Sequence, residues 1–169
     1  MDPQEVFGVS VVLGVIVWGL IGARYIWPAL RGRPRSETLR PLLLLHAFRF
    51  VGLAFVVPGV VSPDLPEAFA RPAAYGDLAT SLLALLAIAT LRSRTGIVIT
   101  WLCTSVGTVD LLNVFYQGGR VGLVPGQMGA AYFIPTVIVP LLLVTHAMVF
   151  RILIRADAPF SQPSVQSGH

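Results

Sequence analysis

Five long apolar stretches, separated by short polar connections, run along the chain. A helix crosses a hydrocarbon core of about 30 Å with about 20 residues, and each stretch approaches or exceeds that length. Because backbone polar groups in lipid must be paired within their own segment, the stretches predict helices rather than strands. The pattern therefore predicts an all-α, polytopic membrane protein built as a bundle of five transmembrane helices. The predicted spans cover approximately residues 6–30, 39–61, 73–91, 96–116 and 130–154.

Arginines are distributed unequally between the two sides of this bundle. Nine lie on one side and two on the other, and a twelfth lies inside a span. Connections rich in Arg stay on the cytoplasmic side of a membrane. We therefore expect the amino terminus outside and the carboxyl terminus in the cytoplasm. The nine are Arg24, Arg31, Arg33, Arg35, Arg40, Arg92, Arg94, Arg151 and Arg155, and the two are Arg71 and Arg120.

The chain divides into one transmembrane domain, residues 1–155, and a short tail, residues 156–169. The tail has too little apolar surface to fold, which predicts a disordered cytoplasmic segment. The first span is expected to remain in the protein, because Asp2 and Glu5 precede it. A cleaved signal peptide begins with basic residues instead. Trp27 at the far end of this span is typical of a membrane-interface anchor.

Composition narrows the class of protein further. Charged residues make up 12% of the chain, about half of the usual quarter. This low share disfavours a soluble enzyme, a disordered protein and a nucleic-acid-binding protein. The chain has no Lys, so it cannot form a retinal or pyridoxal Schiff base. Its single Cys cannot form an intramolecular disulfide or hold an iron–sulfur cluster with its own thiolates.

Arg49 is the most specific indication of a site, because it lies near the middle of the second predicted span. A lone Arg at that depth costs about 2.5–3.5 kcal/mol, so a partner is expected. At 1.5 Å of rise per residue, Asp110 lies about 7 Å away in depth, within reach of an arginine side chain. Asp110 is therefore the first choice of partner, and Asp77, nearer the outer edge, is the second. With other polar residues of the outer half, these charges predict a pocket between spans two and five. Its predicted lining residues are Arg49, Asp110, Asp77, Asn113, Tyr116 and Tyr132.

The predicted pocket supports two interpretations. In the first, the ion pair fixes the register of the helices and does nothing else. In the second, the pocket binds or passes a small polar or amphipathic molecule, or protons, because charges inside spans usually line a cavity or pathway. No catalytic motif is evident: the chain offers no Ser, His and Asp at a common depth. Whether the protein is an enzyme, and which residues would be catalytic, is left open.

His46 and His146 support a different hypothesis, a membrane redox subunit. They lie at nearly equal depth on different predicted helices. Two imidazoles so placed could bind a b-type haem from both faces. The simpler interpretation is packing between helices, or a proton relay. Room for the macrocycle could come from Gly52, Gly59 and Gly107, and its lining from Phe48 and Phe50. No metal site is predicted, since two His residues do not complete one.

A third hypothesis makes the chain a non-catalytic subunit or assembly partner of a larger membrane complex. The expected partners are the lipid bilayer, a small-molecule ligand, and a membrane protein or second copy of the chain, but no nucleic acid. The stretches HAFRFVGLAFVVPGVVSPDLP and GAAYFIPTVIVPLLLVTH resemble a small bacterial inner-membrane protein of uncharacterised type. This resemblance implies a multi-pass location in the cell inner membrane and no particular activity.

Overall fold

The computed structural model describes residues 1–155, and five of its helices are long and apolar enough to cross a membrane. The described residues contain no strand, so the prediction of an all-α chain with five such helices is confirmed. The predicted tail, residues 156–169, lies outside the described residues. The helices are α1 (Pro3–Leu30), α2 (Arg35–Val56), α3 (Glu67–Thr90), α4 (Arg94–Arg120) and α5 (Ile134–Ile154).

Capping side chains define where α1 and α4 begin. The Asp2 carboxylate accepts a hydrogen bond from the Glu5 N–H at 2.8 Å, and the Glu5 carboxylate accepts one from the Asp2 N–H at 2.9 Å. This reciprocal pair is a capping box, and Pro3 follows it at a position that needs no N–H donor. At α4, the Ser93 hydroxyl accepts a hydrogen bond from the Gly96 N–H at 3.1 Å. Both helices therefore begin slightly before the predicted spans.

The second span differs most from its prediction. Residues 39–61 were expected to form one α-helix, but the α-helix changes to a 3₁₀-helix over Phe48–Val56 and then ends. Pro58 follows, and Gly59 has a φ of 83°, so the chain turns there. A 3₁₀-helix has three residues per turn, so residues three apart lie on one face.

The buried face of this 3₁₀-helix consists of Arg49, Gly52 and Phe55. An α-helix would have placed Leu53, four residues after Arg49, on that face instead. In the structure Leu53 is half-buried. Leu53 therefore lies off the buried face, because the local helix has the shorter repeat.

Two connections, α2–α3 and α4–α5, lie across one end of the bundle, which we call the capped end. A 3₁₀-helix, Pro125–Tyr132, precedes α5, so α5 begins later than predicted. Its Ala130 N–H donates to the Val60 carbonyl of the α2–α3 connection at 2.9 Å. Gly129 lies against the same carbonyl with a φ of 51°, a conformation that only glycine adopts easily. The opposite end carries the α1–α2 and α3–α4 connections, and we call it the arginine-rich end.

Helix α1 packs parallel to α5. A Cβ atom on Gly14 would lie 2.9 Å from the Pro140 side chain, and one on Gly22 would lie 2.6 Å from the Met148 side chain. Residue numbers in these two contacts increase in the same direction along α1 and α5. This parallel arrangement is expected for the first and fifth of five consecutive spans. The absent side chains let the backbones approach closely, which is how small residues act between membrane helices.

Candidate functional site

A buried arginine lies between the two apolar cores of the bundle. One core fills the arginine-rich end and the other fills the capped end. Arg49 projects between them from the 3₁₀ segment of α2 and is only 1% exposed. A guanidinium is never deprotonated in a protein, so at this depth it needs acceptors for its N–H groups.

Two carboxylates and a backbone carbonyl supply these acceptors. The Arg49 Nε donates to Asp77 Oδ1 at 2.6 Å, and its Nη2 donates to Asp110 Oδ2 at 2.6 Å. The Nη1 donates to the Gly107 carbonyl at 3.0 Å. Such short N–O distances are typical of charge-assisted hydrogen bonds. The structure therefore joins Arg49 to both aspartates, where the sequence analysis ranked them as first and second choices for a single partner.

The charges of this cluster do not balance. One guanidinium faces two carboxylates, so the formal charge is −1 when both carboxylates are ionised. The side chains of Asp77 and Asp110 are 9% and 12% exposed, whereas that of Arg49 is 0% exposed. The two acidic groups are therefore the part of the cluster that another molecule could reach, and they favour a cation or a hydrogen-bond donor.

Three glycines provide the space for these side chains. A Cβ atom on Gly76 would lie 2.5 Å from the Asp110 Cγ, and one on Gly52 would lie 2.6 Å from the Asp77 Cβ. A Cβ atom on Gly107 would lie 2.8 Å from the guanidinium Nη1. Gly52 and Gly107 thus make room for the ion cluster and not for a macrocycle. Gly76 was not predicted from the sequence, although a glycine inside a helix costs about 1 kcal/mol relative to Ala and so suggests a packing requirement.

Two stacked histidines extend the polar cluster toward the arginine-rich end. The His146 Nε2 lies 3.4 Å from the Arg49 Nη1, and the His46 Nε2 lies 3.3 Å from the Thr145 Oγ1. The two imidazole rings are in contact, with centroids 4.0 Å apart and planes at 31°. Both rings are buried, and neither Nδ1 has a hydrogen-bond partner among residues 1–155.

This ring contact does not fit a haem bound between the two histidines. Nitrogen ligands lie about 2 Å from a metal ion, so imidazoles on opposite faces of one iron would have centroids about 6 Å apart. At 4.0 Å the rings leave no space for a macrocycle. The proposed lining residues Phe48 and Phe50 are exposed and point away from the bundle core. Within residues 1–155, no group of three or more His, Cys, Asp or Glu could hold a metal ion.

The other predicted pocket residues lie apart from the ion cluster. Asn113 is exposed on α4, and Tyr116 is 63% exposed, with its ring 5.8 Å from the Arg120 guanidinium. Tyr132 is half-buried against α1, where its hydroxyl donates to Ser10 Oγ at 3.3 Å. The structure therefore brings Arg49, Asp77 and Asp110 together. It leaves the other three predicted lining residues, Asn113, Tyr116 and Tyr132, outside the site.

An apolar cavity of about 370 Å³ opens in the capped end between α1, α4, α5 and the Pro125–Tyr132 helix. A much smaller cavity, of about 20 Å³, lies against Asp77 and Asp110. The two cavities adjoin, because five side chains line both of them. These are Phe69, Leu111, Val114, Pro135 and Val139. This cavity was not predicted, since lipid-facing and cavity-lining apolar residues look alike in a sequence.

The arginine-rich side of the cluster is closed. Leu39, Leu42 and Leu43 of α2 are fully buried there, and Ala84 and Val149 pack into the same apolar core. A molecule or ion that left the histidines in this direction would meet this close-packed core. In this conformation the aspartates are therefore approached from the capped end.

Comparisons with known proteins give a family without an assigned activity. A family model described as "Domain of unknown function (DUF8737)" matches residues 6–154, which include most of α1 and all of α2 to α5. The searches of curated proteins and of solved structures found no match. The role of the site must therefore be argued from its geometry.

Proposed function

Since this chain belongs to the DUF8737 family, whose function is unknown, we propose a role from the geometry of its site. The protein binds a small amphipathic molecule that enters the capped end. The apolar part of the molecule occupies the large cavity, and a hydrogen-bond donor or positive charge reaches Asp77 and Asp110. The observation that supports this proposal is the shared lining of the two cavities.

The two cavities differ in size and polarity, and this difference limits the chemistry of the ligand. The large cavity, at about 370 Å³, is within the range of small-molecule sites, about 300–1,000 Å³. The small cavity, at about 20 Å³, has room for about one water-sized group. Ionised carboxylates only accept hydrogen bonds. The ligand expected is therefore an apolar body that ends in one ammonium or hydroxyl group, while an anionic end would be repelled.

Binding explains the structure better than passage through the membrane. A channel or proton pathway needs polar groups or water on both sides of the cluster. The polar groups continue from Arg49 to the stacked histidines, but the buried leucines of α2 lie beyond them. We therefore favour a binding site with access from one end over a transporter or a proton pathway.

The proposed location follows from the arginine distribution. With nine arginines at one end and two at the other, the capped end would face the outside of the cell membrane. We propose a multi-pass protein of a bacterial inner membrane, with its binding cavity open toward the outer side and its arginine-rich end in the cytoplasm.

Filling the cavity tests this proposal. Val114→Trp would place an indole between the two cavities, since Val114 lines both, whereas Leu112→Trp places it on the neighbouring exposed face, where the native side chain is 58% exposed. Octylamine binding is measured by calorimetry with the purified protein in nanodiscs. Partition of the amine into lipid is subtracted with empty nanodiscs.

Wild-type protein and Leu112→Trp should bind octylamine with similar affinity, and Val114→Trp should bind at least about tenfold more weakly, which corresponds to about 1.4 kcal/mol. Circular dichroism and gel filtration check that all three proteins are folded. Equal octylamine affinity in folded Val114→Trp and Leu112→Trp would contradict the proposed cavity site.

A further inference from the structure

A second group of polar side chains lies at the arginine-rich end, away from the cavity. The Trp27 indole of α1 faces two guanidiniums, that of Arg151 in α5 and that of Arg155 directly after it. The Arg151 Cζ lies 4.5 Å from the ring centroid, and the Arg155 Cζ lies 5.2 Å from it. Both distances are within the cation–π range. Both arginine side chains are exposed, so they are accessible from outside the bundle.

A distortion of α1 places Trp27 beside α5. The helix forms one π-turn over Gly22–Ile26, in which the Trp27 N–H donates to the Gly22 carbonyl five residues earlier. A π-turn contains one more residue than an α-turn and so rotates the later residues of the helix, and such turns frequently occur at functional sites. Gly22 also lacks a side chain where Met148 of α5 approaches. The position of Trp27 is therefore built into the helix and does not depend on a flexible loop.

Within the described part of the chain, the two guanidiniums beside Trp27 have no carboxylate partner. Arg151 lies in the last turn of α5 and Arg155 directly follows the helix, and their like charges repel because both guanidiniums face one indole. Among residues 1–155, no ion pair joins either of them to a carboxylate. A guanidinium matches the geometry of a phosphate group with two parallel hydrogen bonds. Two of them held over one indole therefore form a receptor for a phosphate.

The surroundings favour the phosphate of a lipid over one from solution. Trp and Arg together are typical of the boundary between the hydrocarbon and water. Ile154, on the same end of α5, is 70% exposed and offers apolar surface for an acyl chain. Arginines of the α1–α2 and α3–α4 connections lie at the same end and add positive potential, which attracts anionic lipid.

We propose that Trp27, Arg151 and Arg155 form a binding site for the phosphate of an anionic phospholipid. The lipid would lie at the arginine-rich end, with its headgroup over the indole and its acyl chains along the exposed helices. This site is independent of the cavity at the capped end and of its proposed ligand.

The experiment uses the fluorescence of Trp27 to report lipid binding at the site. Replacing Trp18 and Trp101 with Phe leaves Trp27 as the single Trp of the three in the chain. Its emission is measured in detergent micelles during titration with phosphatidylglycerol, phosphatidylcholine or inorganic phosphate. The test variant is Arg151→Gln with Arg155→Gln. The matched control is Arg92→Gln with Arg94→Gln, which removes the same charge from the α3–α4 connection.

Phosphatidylglycerol should give a saturable change in emission at concentrations where phosphatidylcholine and inorganic phosphate give little. The test variant should bind phosphatidylglycerol about 30-fold more weakly, as expected for the loss of two arginines. The control variant should change the affinity less than about threefold. An equal loss in both variants would show a diffuse charge effect and overturn the proposal. Equal responses to inorganic phosphate and to phosphatidylglycerol would also overturn it, since the site would then recognise the anion alone.

Discussion

Replacing Arg49 with Gln should destabilise the protein more than any other single change in the ion cluster. The substitution removes hydrogen bonds to Asp77, Asp110 and the Gly107 carbonyl. It also changes the formal charge of the cluster from −1 to −2. Removing one member of a buried ion pair costs about 3–5 kcal/mol, because the remaining charge is left uncompensated. We expect Arg49→Gln to fall in that range.

Asp110→Asn should cost less, although it alters the same cluster. It changes the formal charge from −1 to 0, and the Asn carbonyl can still accept from the Arg49 Nη2. A hydrogen bond to a charged group contributes about 1.5–3 kcal/mol, and only part of this is lost. We therefore expect Asp110→Asn to cost about 1–2 kcal/mol.

The assay is unfolding by SDS titrated into detergent micelles, with helix content measured by circular dichroism. Arg71→Gln is the control, because Arg71 forms an exposed ion pair with Glu67 at 3.1 Å, and such pairs contribute less than about 1 kcal/mol. Replacing all three charged residues together, by Arg49→Met, Asp77→Leu and Asp110→Leu, should recover most of the stability lost in Arg49→Gln. The reasoning is refuted if Arg49→Gln unfolds as easily as Arg71→Gln, or if Asp110→Asn is the more damaging change.

Three further predictions concern the glycines and the orientation. Gly107→Ala should lower the free energy of unfolding by about 1–3 kcal/mol, since its Cβ would lie 2.8 Å from the Arg49 guanidinium. The control Gly119→Ala should not be destabilising, because no atom lies within 4 Å of its Cβ. Thermal unfolding in detergent compares the two variants. Gly129→Ala should cost about 1–3 kcal/mol because of its backbone conformation, and an unchanged melting temperature would contradict this. In a cysteine-free background, an impermeant maleimide added to intact spheroplasts should label Gly126→Cys at the capped end but not Ser36→Cys at the arginine-rich end. The reverse labelling pattern would contradict the proposed orientation.

Depth along a membrane helix was predictable from the sequence. Residue counts placed Arg49 and Asp110 at compatible levels, with Asp77 nearer the outer edge, and the cost of a lone charge in the bilayer required one carboxylate partner for Arg49. The same arithmetic placed His46 and His146 at equal depth. The counts could not provide lateral distance, because periodicity does not specify which helices are neighbours or how closely they approach. In the structure the two imidazole centroids are 4.0 Å apart, which is too close for the haem that equal depth alone allowed.

The inward faces were predictable where the helix is regular and deep in the bundle. Asp77, which was predicted to line the pocket, is buried on α3. The prediction failed in α2, where the 3₁₀ segment changes the repeat from about four residues to three. It also failed for Asn113 and Tyr116 at the capped end, because polar side chains near a membrane surface can face outward to water. Polarity indicates an inward face only in the middle of a span.

In the proposed site, two carboxylates receive the donor end of an amphipathic ligand. The most direct test compares octylamine with octanoate, which have the same apolar chain and opposite charge, by calorimetry on the wild-type protein in nanodiscs of neutral lipid. Octylamine should bind saturably at least about tenfold more tightly, and Asp77→Asn with Asp110→Asn should abolish that preference. Equal or tighter binding of octanoate, or an unchanged preference in the doubly substituted protein, would contradict the account.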